Sequence, residues 1–238
     1  MRKSGLLNLV LILCLFGTFL IQGCATLTTR AYDYSAYLAH MPRSILVLPP
    51  KNESTEVMAP YIYLSTITQP LAERGYYVFP VAVIDAMMKE NGISTPEEMA
   101  QIPLNKICEI IDADAILYMT VVEWGVKYQV FDSVTIINLR GQLVDTDTGT
   151  VLWQGEKEAR LSSSSGQDSI AGILVEAVLN QIINSIVDPT RDAARQTNEM
   201  LFFNEREGLL LGPRHSQYEV DQKKHQVILN QATQNAGP

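Results

Sequence analysis

The carboxylates of Asp145, Asp147 and Glu156 are spaced as the first, third and twelfth ligands of a calcium-binding loop. Two positions between them break this pattern. Gly149 stands where the template needs an oxygen-bearing side chain, and Thr150 replaces the glycine that makes the sharp turn. The sequence therefore predicts no metal site here. It favours a hairpin turn in which the aspartates accept hydrogen bonds from local backbone amides.

Histidine and serine side chains, which carry much acid-base and nucleophilic chemistry, form no catalytic set in this sequence. The motifs G-x-S-x-G, G-x-x-x-x-G-K-[ST], G-x-G-x-x-G and H-E-x-x-H do not occur. His40, His215 and His225 are too loosely placed to suggest a metal site. The serine run at 162–165 has no base nearby and is typical of a solvated loop. We therefore predict no catalytic residue and no cofactor, and hence a protein that is not an enzyme.

Cys24 has a chemistry of its own, because it directly follows an export signal. Arg2 and Lys3 precede an apolar run at 6–21, which is shorter than the roughly 18–20 residues of a membrane-spanning helix. Gly23 supplies the small residue that a signal peptidase requires before its cleavage site. We predict that residues 1–23 are a signal peptide, removed after Gly23, and that Cys24 becomes the first residue.

The sequence around Cys24 resembles a bacterial lipobox. In that motif the cysteine thiol receives a diacylglycerol, and the amine freed by cleavage receives a further acyl chain such as palmitate. Ile21 and Gln22 differ from the residues most common at their positions, and the alternative is an ordinary cleaved signal. Because Ala25 rather than aspartate follows the cysteine, the resemblance implies sorting to the outer membrane, with most of the chain facing the periplasm.

The mature chain is acidic. Removal of residues 1–23 takes away two basic residues and no acidic one, which leaves 16 of the 18 basic residues against 26 acidic ones, a net charge of −10. Such a surface disfavours nucleic acid and is not attracted to anionic lipid headgroups. Attachment to a membrane would therefore depend on the acyl chains of Cys24.

Cys108 is the one thiol that remains after removal of Cys14 and acylation of Cys24. A single thiol forms no internal disulfide in an oxidising compartment. Leu104, Ile107, Cys108 and Ile111 recur at helical spacing, so Cys108 is predicted to be a small buried side chain of the core.

The pattern of apolar residues alternates between strand and helix. Strands are predicted at 43–50, 76–81, 115–130, 134–145 and 150–161, and helices at 60–75, 82–90, 95–112 and 170–187. The first two strands should be parallel, because a helix connects them, and the last three should form an antiparallel meander. The element order β-α-β-α-α-β-β-β-α predicts an α/β fold with a mixed sheet and helices.

Four segments follow from this pattern. Residues 1–23 are the signal peptide and 24–42 a lipidated tether. Residues 43–190 form the α/β domain. Residues 191–238 form a C-terminal extension that packs partly on the domain and is disordered at its end, because the sequence from residue 221 onward is polar and weakly periodic.

The segment GLLLGPRHSQY at 208–218 places three leucines between glycines, outside the predicted strands and helices. Exposed apolar segments often mark interfaces, whereas buried ones complete a core. Both alternatives stay open from the sequence. Under the first, the candidate partner-binding residues are Leu209, Leu210, Leu211, Pro213 and His215.

Several motifs together resemble a family of bacterial outer-membrane lipoproteins of poorly defined function. They are LPPKN, GYYVFPV, WGVKY, DTDTGTVLWQG and LLLGPRH, spread over residues 48–215. The resemblance covers most of residues 24–215. The element order is also similar to that of the periplasmic domain of the secretion lipoprotein CsgG and the N-terminal domain of TolB. The family resemblance implies an envelope assembly shared with a CsgG-like lipoprotein and a small companion lipoprotein, and the CsgG resemblance implies a homo-oligomer.

We therefore expect a non-enzymatic outer-membrane lipoprotein that acts as a periplasmic interaction module in an envelope secretion or assembly complex. The alternative is a lipoprotein activator of a peptidoglycan synthase, as LpoB-like proteins are. The predicted tether argues against this alternative, because its extended span is at most about 60 Å.

Overall fold

The computed structural model describes residues 32–128, 133–162 and 189–235. Its strands are β1 Ser44–Val47, β2 Lys51–Asn52, β3 Tyr77–Val78, β4 Ala115–Tyr128, β5 Ser133–Asp145 and β6 Val151–Ser162. They form one mixed sheet in the order β3-β1-β4-β5-β6, and β2 pairs with β4 beyond the end of β1. β1 is parallel to β3 and β4, whereas β4, β5 and β6 are antiparallel. The predicted parallel pair and the predicted meander are both confirmed.

The helices within the described ranges cover both faces of this sheet. They are α1 Ser35–His40, α2 Ala59–Glu73, α3 Val81–Glu90, α4 Pro96–Met99, α5 Leu104–Ile111, α6 Pro189–Phe202 and α7 Tyr218–Asn235. None of them is long and apolar enough to span a lipid bilayer. The predicted α/β fold with a mixed sheet and helices is confirmed.

β1 is buried on both faces, which explains its continuous apolar run. Ile45 and Val47 pack into one core with α1, α2 and α6. Leu46 and Leu48 pack into a second core with α3, α4 and α5. β1 ends earlier than predicted, because Pro49 and Pro50 follow and proline has no N–H for a strand ladder.

Local signals set the ends of several helices as predicted. Pro60 lies in the first turn of α2, where its missing N–H costs nothing. Gly92 follows α3 with a positive φ of 81°. The hydroxyl of Thr95 accepts a hydrogen bond from the Glu98 N–H, and the Glu98 carboxylate accepts one from the Thr95 N–H. This capping box starts α4.

The C-terminal part of the predicted tether, residues 32–42, belongs instead to the compact unit, which begins at Tyr32 rather than at residue 43. α1 packs on β6 and on the core, and Tyr34, Tyr37 and Leu38 are buried. The Tyr32 hydroxyl accepts a hydrogen bond of 2.8 Å from the Gln154 N–H at the sheet edge. Burial of these side chains on the domain stabilises the fold, whereas in a solvated tether they would stay exposed to water.

The end of the chain also differs from the prediction. α7 spans residues that the sequence predicted as disordered from 221 onward. α6, by contrast, packs as part of the main core. Its Asn198 accepts a hydrogen bond from Tyr63 and donates one to Thr66, both on α2.

Several predictions lie outside the described residues. These are the signal peptide, the cleavage after Gly23, the acylation of Cys24 and the helix at 170–187. The side chain of Cys108, although its backbone lies in α5, is also outside the described set.

Candidate functional site

A pocket of about 330 Å³ lies at the carboxyl end of β1. The chain leaves β1 through α2 towards β3 on one side, and returns through α3 to α5 towards β4 on the other. In open α/β sheets this divergence leaves a crevice at the strand ends, where ligands commonly bind. The apolar lining of this strand-end pocket consists of Pro49, Val57, Pro60, Tyr61, Leu64 and Met99.

Val57 and Tyr61, which line the pocket, and the neighbouring Met58 face outward. Val57 is 78% exposed, Met58 53% and Tyr61 47%, and together we call them the α2 patch. They lie just before α2 and in its first turn, so they form one continuous surface. Lys89 lies 4.9 Å above the Tyr61 ring and holds it by a cation–π contact.

The loop that carries the patch is internally hydrogen-bonded. The Asn52 amide oxygen accepts from the Ser54 N–H and hydroxyl, and its amide nitrogen donates to the Glu56 carbonyl. The Glu53 N–H donates to the Val121 carbonyl of β4 at 2.8 Å. The LPPKN motif therefore builds a loop fixed to the sheet, which presents Val57 in a set position. A preformed surface loses less conformational entropy on binding.

Carboxylates border the α2 patch. Asp85 forms an ion pair of 2.7 Å with Lys89, and the Glu56 carboxylate accepts a hydrogen bond from the Met58 N–H. Within the described ranges, neither Glu56 nor Glu97 forms an ion pair. The surface is thus apolar at its centre, and its rim is net acidic, because Lys89 offsets only Asp85. It suits a protein contact with apolar and basic side chains.

The three leucines of the 208–215 segment are buried rather than exposed. Leu209, Leu210 and Leu211 are 0%, 2% and 8% exposed. Leu209 and Leu210 complete the core beneath α1 and α2. Of the two open alternatives, this burial supports packing. Pro213 and His215, the other two partner-binding candidates, lie half-buried at the surface.

Four consecutive carbonyls of this segment each accept a hydrogen bond from a side chain elsewhere in the fold. The donors are Tyr34 to Gly208 (2.5 Å), Arg74 to Leu209, Tyr76 to Leu210 (2.6 Å) and Gln222 to Leu211 (3.3 Å). A buried carbonyl outside a helix or strand needs such a partner. These donors explain how a segment without regular structure lies in the core.

The motifs GYYVFPV and LLLGPRH meet at a pair of glycines. The Gly212 N–H donates to the Arg74 carbonyl at 2.7 Å, and the Arg214 N–H donates to the Gly75 carbonyl at 3.0 Å. Gly75 has a φ of 91°, and a Cβ there would collide with the backbone of His215. The approach of these two chain segments therefore requires glycine at position 75.

The buried tyrosines near this segment act as hydrogen-bond donors. Burial raises the pKa of Tyr34, Tyr37 and Tyr76 well above the ordinary value, so all three hydroxyls stay protonated. The Tyr37 and Tyr76 hydroxyls also bond to each other. A protonated phenol at neutral pH can hold a carbonyl but cannot serve as a base.

Asp221 and His225 fasten α7 to the same segment. The Asp221 carboxylate accepts a hydrogen bond of 2.9 Å from the Leu211 N–H and lies 3.5 Å from the His225 ring nitrogen. Burial raises the pKa of Asp221, but the hydrogen bonds from His225 and the Leu211 N–H lower it, and the net pKa is lowered. His225 also packs edge-on against Tyr34, with ring centroids 4.9 Å apart.

The predicted hairpin turn is confirmed at Asp145. Its carboxylate accepts hydrogen bonds from the N–H and the hydroxyl of Thr148, at 2.8 and 2.7 Å. Gly149 has a φ of 72°, as this turn requires. Glu156 points to a different set of partners, because its carboxylate pairs with Arg140 on the neighbouring strand at 2.8 Å. Asp145 and Glu156 therefore serve the hairpin and the sheet.

The α2 patch was missed from the sequence. Val57 and Met58 stand before a proline that begins a helix, and apolar residues there usually turn back to staple the first turn. Helical spacing gave no warning, because Tyr61 stands three residues before Leu64 and reads as part of the apolar stripe of Leu64, Ile67 and Leu71.

Comparison with known proteins identifies the family. A family model described as "Putative lipoprotein GNA1162-like" matches residues 32–214. The chain belongs to the GNA1162-like lipoprotein family. "Putative lipoprotein NMB1124/NMB1162" of Neisseria meningitidis serogroup B is 37% identical over 205 residues, which are 86% of this chain and 95% of the relative. Membership in a lipoprotein family indicates a membrane-anchored location in the cell envelope.

A solved structure agrees with the GNA1162-like fold. The crystal structure of lipoprotein GNA1162 from Neisseria meningitidis is 42% identical, with a TM-score of 0.50, over 60% of this chain and 99% of that chain. The C-terminal domain of LpoB from Salmonella enterica is 18% identical, with a TM-score of 0.35, over 50% and 84% of the two chains. A likeness at that second level carries no argument about this chain. The association with CsgG and TolB stays a prediction from the sequence.

Proposed function

We propose that this GNA1162-like protein is a lipid-anchored, non-enzymatic interaction module of the bacterial envelope, which contacts a protein partner through the α2 patch. The observation that carries this proposal is the exposure of Val57, Met58 and Tyr61 on a loop and helix fixed to the sheet. Apolar side chains that face water beside a preformed pocket stabilise a complex when a partner covers them.

The partner would sit against an apolar centre with a charged rim. Protein interfaces have this arrangement, with central apolar side chains surrounded by polar groups that exclude water. Tyr61 has the properties of a central contact, because it is aromatic, lies at the pocket mouth and is already oriented by Lys89. Glu56 and Glu97 would lie at the rim.

Acyl chains on Cys24 would hold the module at the outer membrane, with its compact unit in the periplasm. This proposal rests on the lipobox resemblance, on Ala25 and on cleavage after Gly23, and the lipoprotein family agrees with an anchor. Since the compact unit begins at Tyr32, only residues 25–31 separate it from Cys24. That length spans at most about 25–30 Å.

This short reach favours an assembly at the membrane over action across the periplasm. The first class of partner is therefore another envelope lipoprotein, namely the CsgG-like lipoprotein and the small companion lipoprotein that the sequence resemblance implies. A peptidoglycan synthase would lie farther from the anchor, so the activator function is the less favoured alternative.

The test is affinity purification of the tagged, lipidated protein from gently solubilised envelopes, followed by mass spectrometry. The double variant Val57→Ser/Tyr61→Ser should lose the partner. Ile110→Ser is the matched control, because Ile110 is also an exposed apolar residue, at 70%, but lies on α5 away from the pocket. Cys24→Ser should abolish acyl incorporation and release the protein from membranes.

Recovery of a CsgG-like lipoprotein with the parent and with Ile110→Ser, but not with the patch variant, would support the proposal. Equal recovery of the same partner by the parent and the patch variant would exclude the α2 patch as the contact. Recovery of a cell-wall synthase instead would favour the activator function.

A further inference from the structure

α7 presents its apolar side chains outward, which is the reverse of an ordinary surface helix. Val220, Val227 and Ile228 are 70%, 53% and 38% exposed. A helix that packs on a domain normally buries its apolar stripe and exposes its polar one. Val220 and Val227 are seven residues apart and Ile228 follows directly, so they lie on one face. We call this face the α7 stripe.

Polar side chains hold the inward face of α7. Asp221 accepts a hydrogen bond from the Leu211 N–H, and Gln222 donates to the Leu211 carbonyl. His225 packs on Tyr34, and Leu229 packs against the main core. These contacts fix the helix in its inverted orientation. The outward position of the α7 stripe is therefore set by specific bonds.

The charges beside the α7 stripe are mostly basic. Lys223 and Lys224 are the only adjacent pair of lysines in this acidic sequence, and both are exposed. Neither forms an ion pair in the part of the chain that the structure describes. Glu219 is the exposed acid on the same helix. The α7 stripe is thus apolar and basic, whereas the α2 patch is apolar and acidic.

The two surfaces lie at opposite ends of α2. The α2 patch is at the start of this helix, beside the carboxyl end of β1. α2 ends at Glu73, and the next residue, Arg74, bonds to Leu209 and Gly212 in the segment on which α7 sits. Its 15 residues span about 22 Å. One copy of the chain therefore cannot bring its own α7 stripe to its own α2 patch.

We infer that the α7 stripe of one copy docks on the α2 patch of a second copy. This inference rests on the proposed function, because it uses the same patch, and in an open row the copy at the end still offers its α2 patch to the envelope partner. Val220, Val227 and Ile228 would cover Val57, Met58 and Tyr61, while Lys223 and Lys224 meet Glu56 and Glu97. An amphipathic helix laid against an apolar groove is a common mode of recognition. Because different surfaces meet, the contact is head-to-tail and builds a ring or an open row of copies.

The deciding experiment mixes two variants of the full chain, both carrying Cys24→Ser so that acyl chains do not drive association. One is Val220→Asp/Val227→Asp, which keeps the patch. The other is Val57→Asp/Tyr61→Asp, which keeps α7. In sedimentation runs the parent should form oligomers and each variant alone should be monomeric. An equimolar mixture should form dimers, because only one complementary contact remains.

Every other result of this mixing experiment would overturn the inference. A parent that stays monomeric has no such contact. Association of the patch variant alone would mean that α7 pairs with α7, and association of the α7 variant alone would mean that patch pairs with patch. Monomers in the mixture would also exclude a head-to-tail contact. All four residues are exposed, so each variant should keep the thermal midpoint of the parent, which shows that it is folded.

A charge exchange sharpens the test. Lys223→Glu/Lys224→Glu and Glu56→Lys/Glu97→Lys should each weaken association, and the variant that combines all four changes should restore it. Failure of the combined variant to regain association would exclude pairing of these charges. A monomeric parent whose patch variant still loses envelope partners would overturn this inference and leave the proposed function standing. Mixed dimers, together with a patch variant that still recovers its envelope partners, would support this inference and overturn the proposed function.

Discussion

The 208–211 segment and the α2 patch both consist mainly of apolar residues in loops or at a helix start. The first is buried, whereas the second faces water. Leu209 and Leu210 lie in the core because Arg74 and Tyr76 supply donors for their carbonyls. The loop before α2 instead satisfies its own backbone and that of β4. Val57, which this loop carries, lies outside the core. Burial of an irregular apolar segment depends on donors for its backbone as well as on the side chains themselves.

The largest difference between the two regions should be seen when each loses an apolar side chain. Leu209→Ala should lower the free energy of unfolding by about 2–5 kcal/mol, because it leaves a cavity in the core. Val57→Ala should change it by less than about 0.5 kcal/mol, because Val57 is exposed. Urea unfolding of both variants measures the contrast. Equal losses would show that the two regions do not differ as described.

Removing single hydroxyls should give a smaller contrast. Tyr76→Phe should cost about 1–3 kcal/mol, because it leaves the buried Leu210 carbonyl and the Tyr37 hydroxyl without a partner. Tyr61→Phe, the matched change in the α2 patch, should leave stability unchanged, since its hydroxyl is at the surface. Thermal unfolding of the two variants provides the check. An unaltered midpoint for Tyr76→Phe would mean that water replaces the lost donor.

The smallest effect should be a pH dependence confined to the 208–211 region. The pKa of Asp221 is lowered from its ordinary value of 3.8, so its bond to the Leu211 N–H stabilises the fold above that pH and is lost as pH falls through the lower folded-state pKa. Hydrogen exchange at the Leu211 amide, corrected for its intrinsic rate, should therefore accelerate from about pH 4 downward.

Asp221→Asn should remove this dependence, whereas Glu219→Gln, an exposed neighbour on α7, should retain it. The Glu53 amide, which donates to the Val121 carbonyl in the loop before the α2 patch, should show no matching change in hydrogen exchange over the same pH range. A parallel acceleration at both amides would indicate general acid unfolding instead.

Much of the fold could be predicted from local patterns. The apolar run of β1 indicated burial on both faces, and the Thr95 capping box and the Asp145 hairpin each combine several preferences within a few residues. Such signals depend only on neighbours in the sequence, so one sequence suffices to detect them.

The missed features depend on contacts between distant residues. α1 is held by Tyr34, whose hydroxyl bonds to Gly208, 174 residues away. α7 has a mostly polar inward face, whose Asp221 and Gln222 bond to Leu211, so its pattern looks like that of a solvated chain. The loop that carries Val57 is tied to β4 through the distant Val121 carbonyl. No periodicity in the sequence encodes these partners.

The place where α1 joins the domain determines how the protein would bear mechanical load. A pull on the N-terminal side of the compact unit acts first on Tyr32 and Tyr34, which are tied to Gln154 at the sheet edge and to Gly208. Tension would therefore pass into β6 and the buried leucine segment. The α2 patch lies off this line, at the far end of α2. Under such a pull the α2 patch would keep its arrangement.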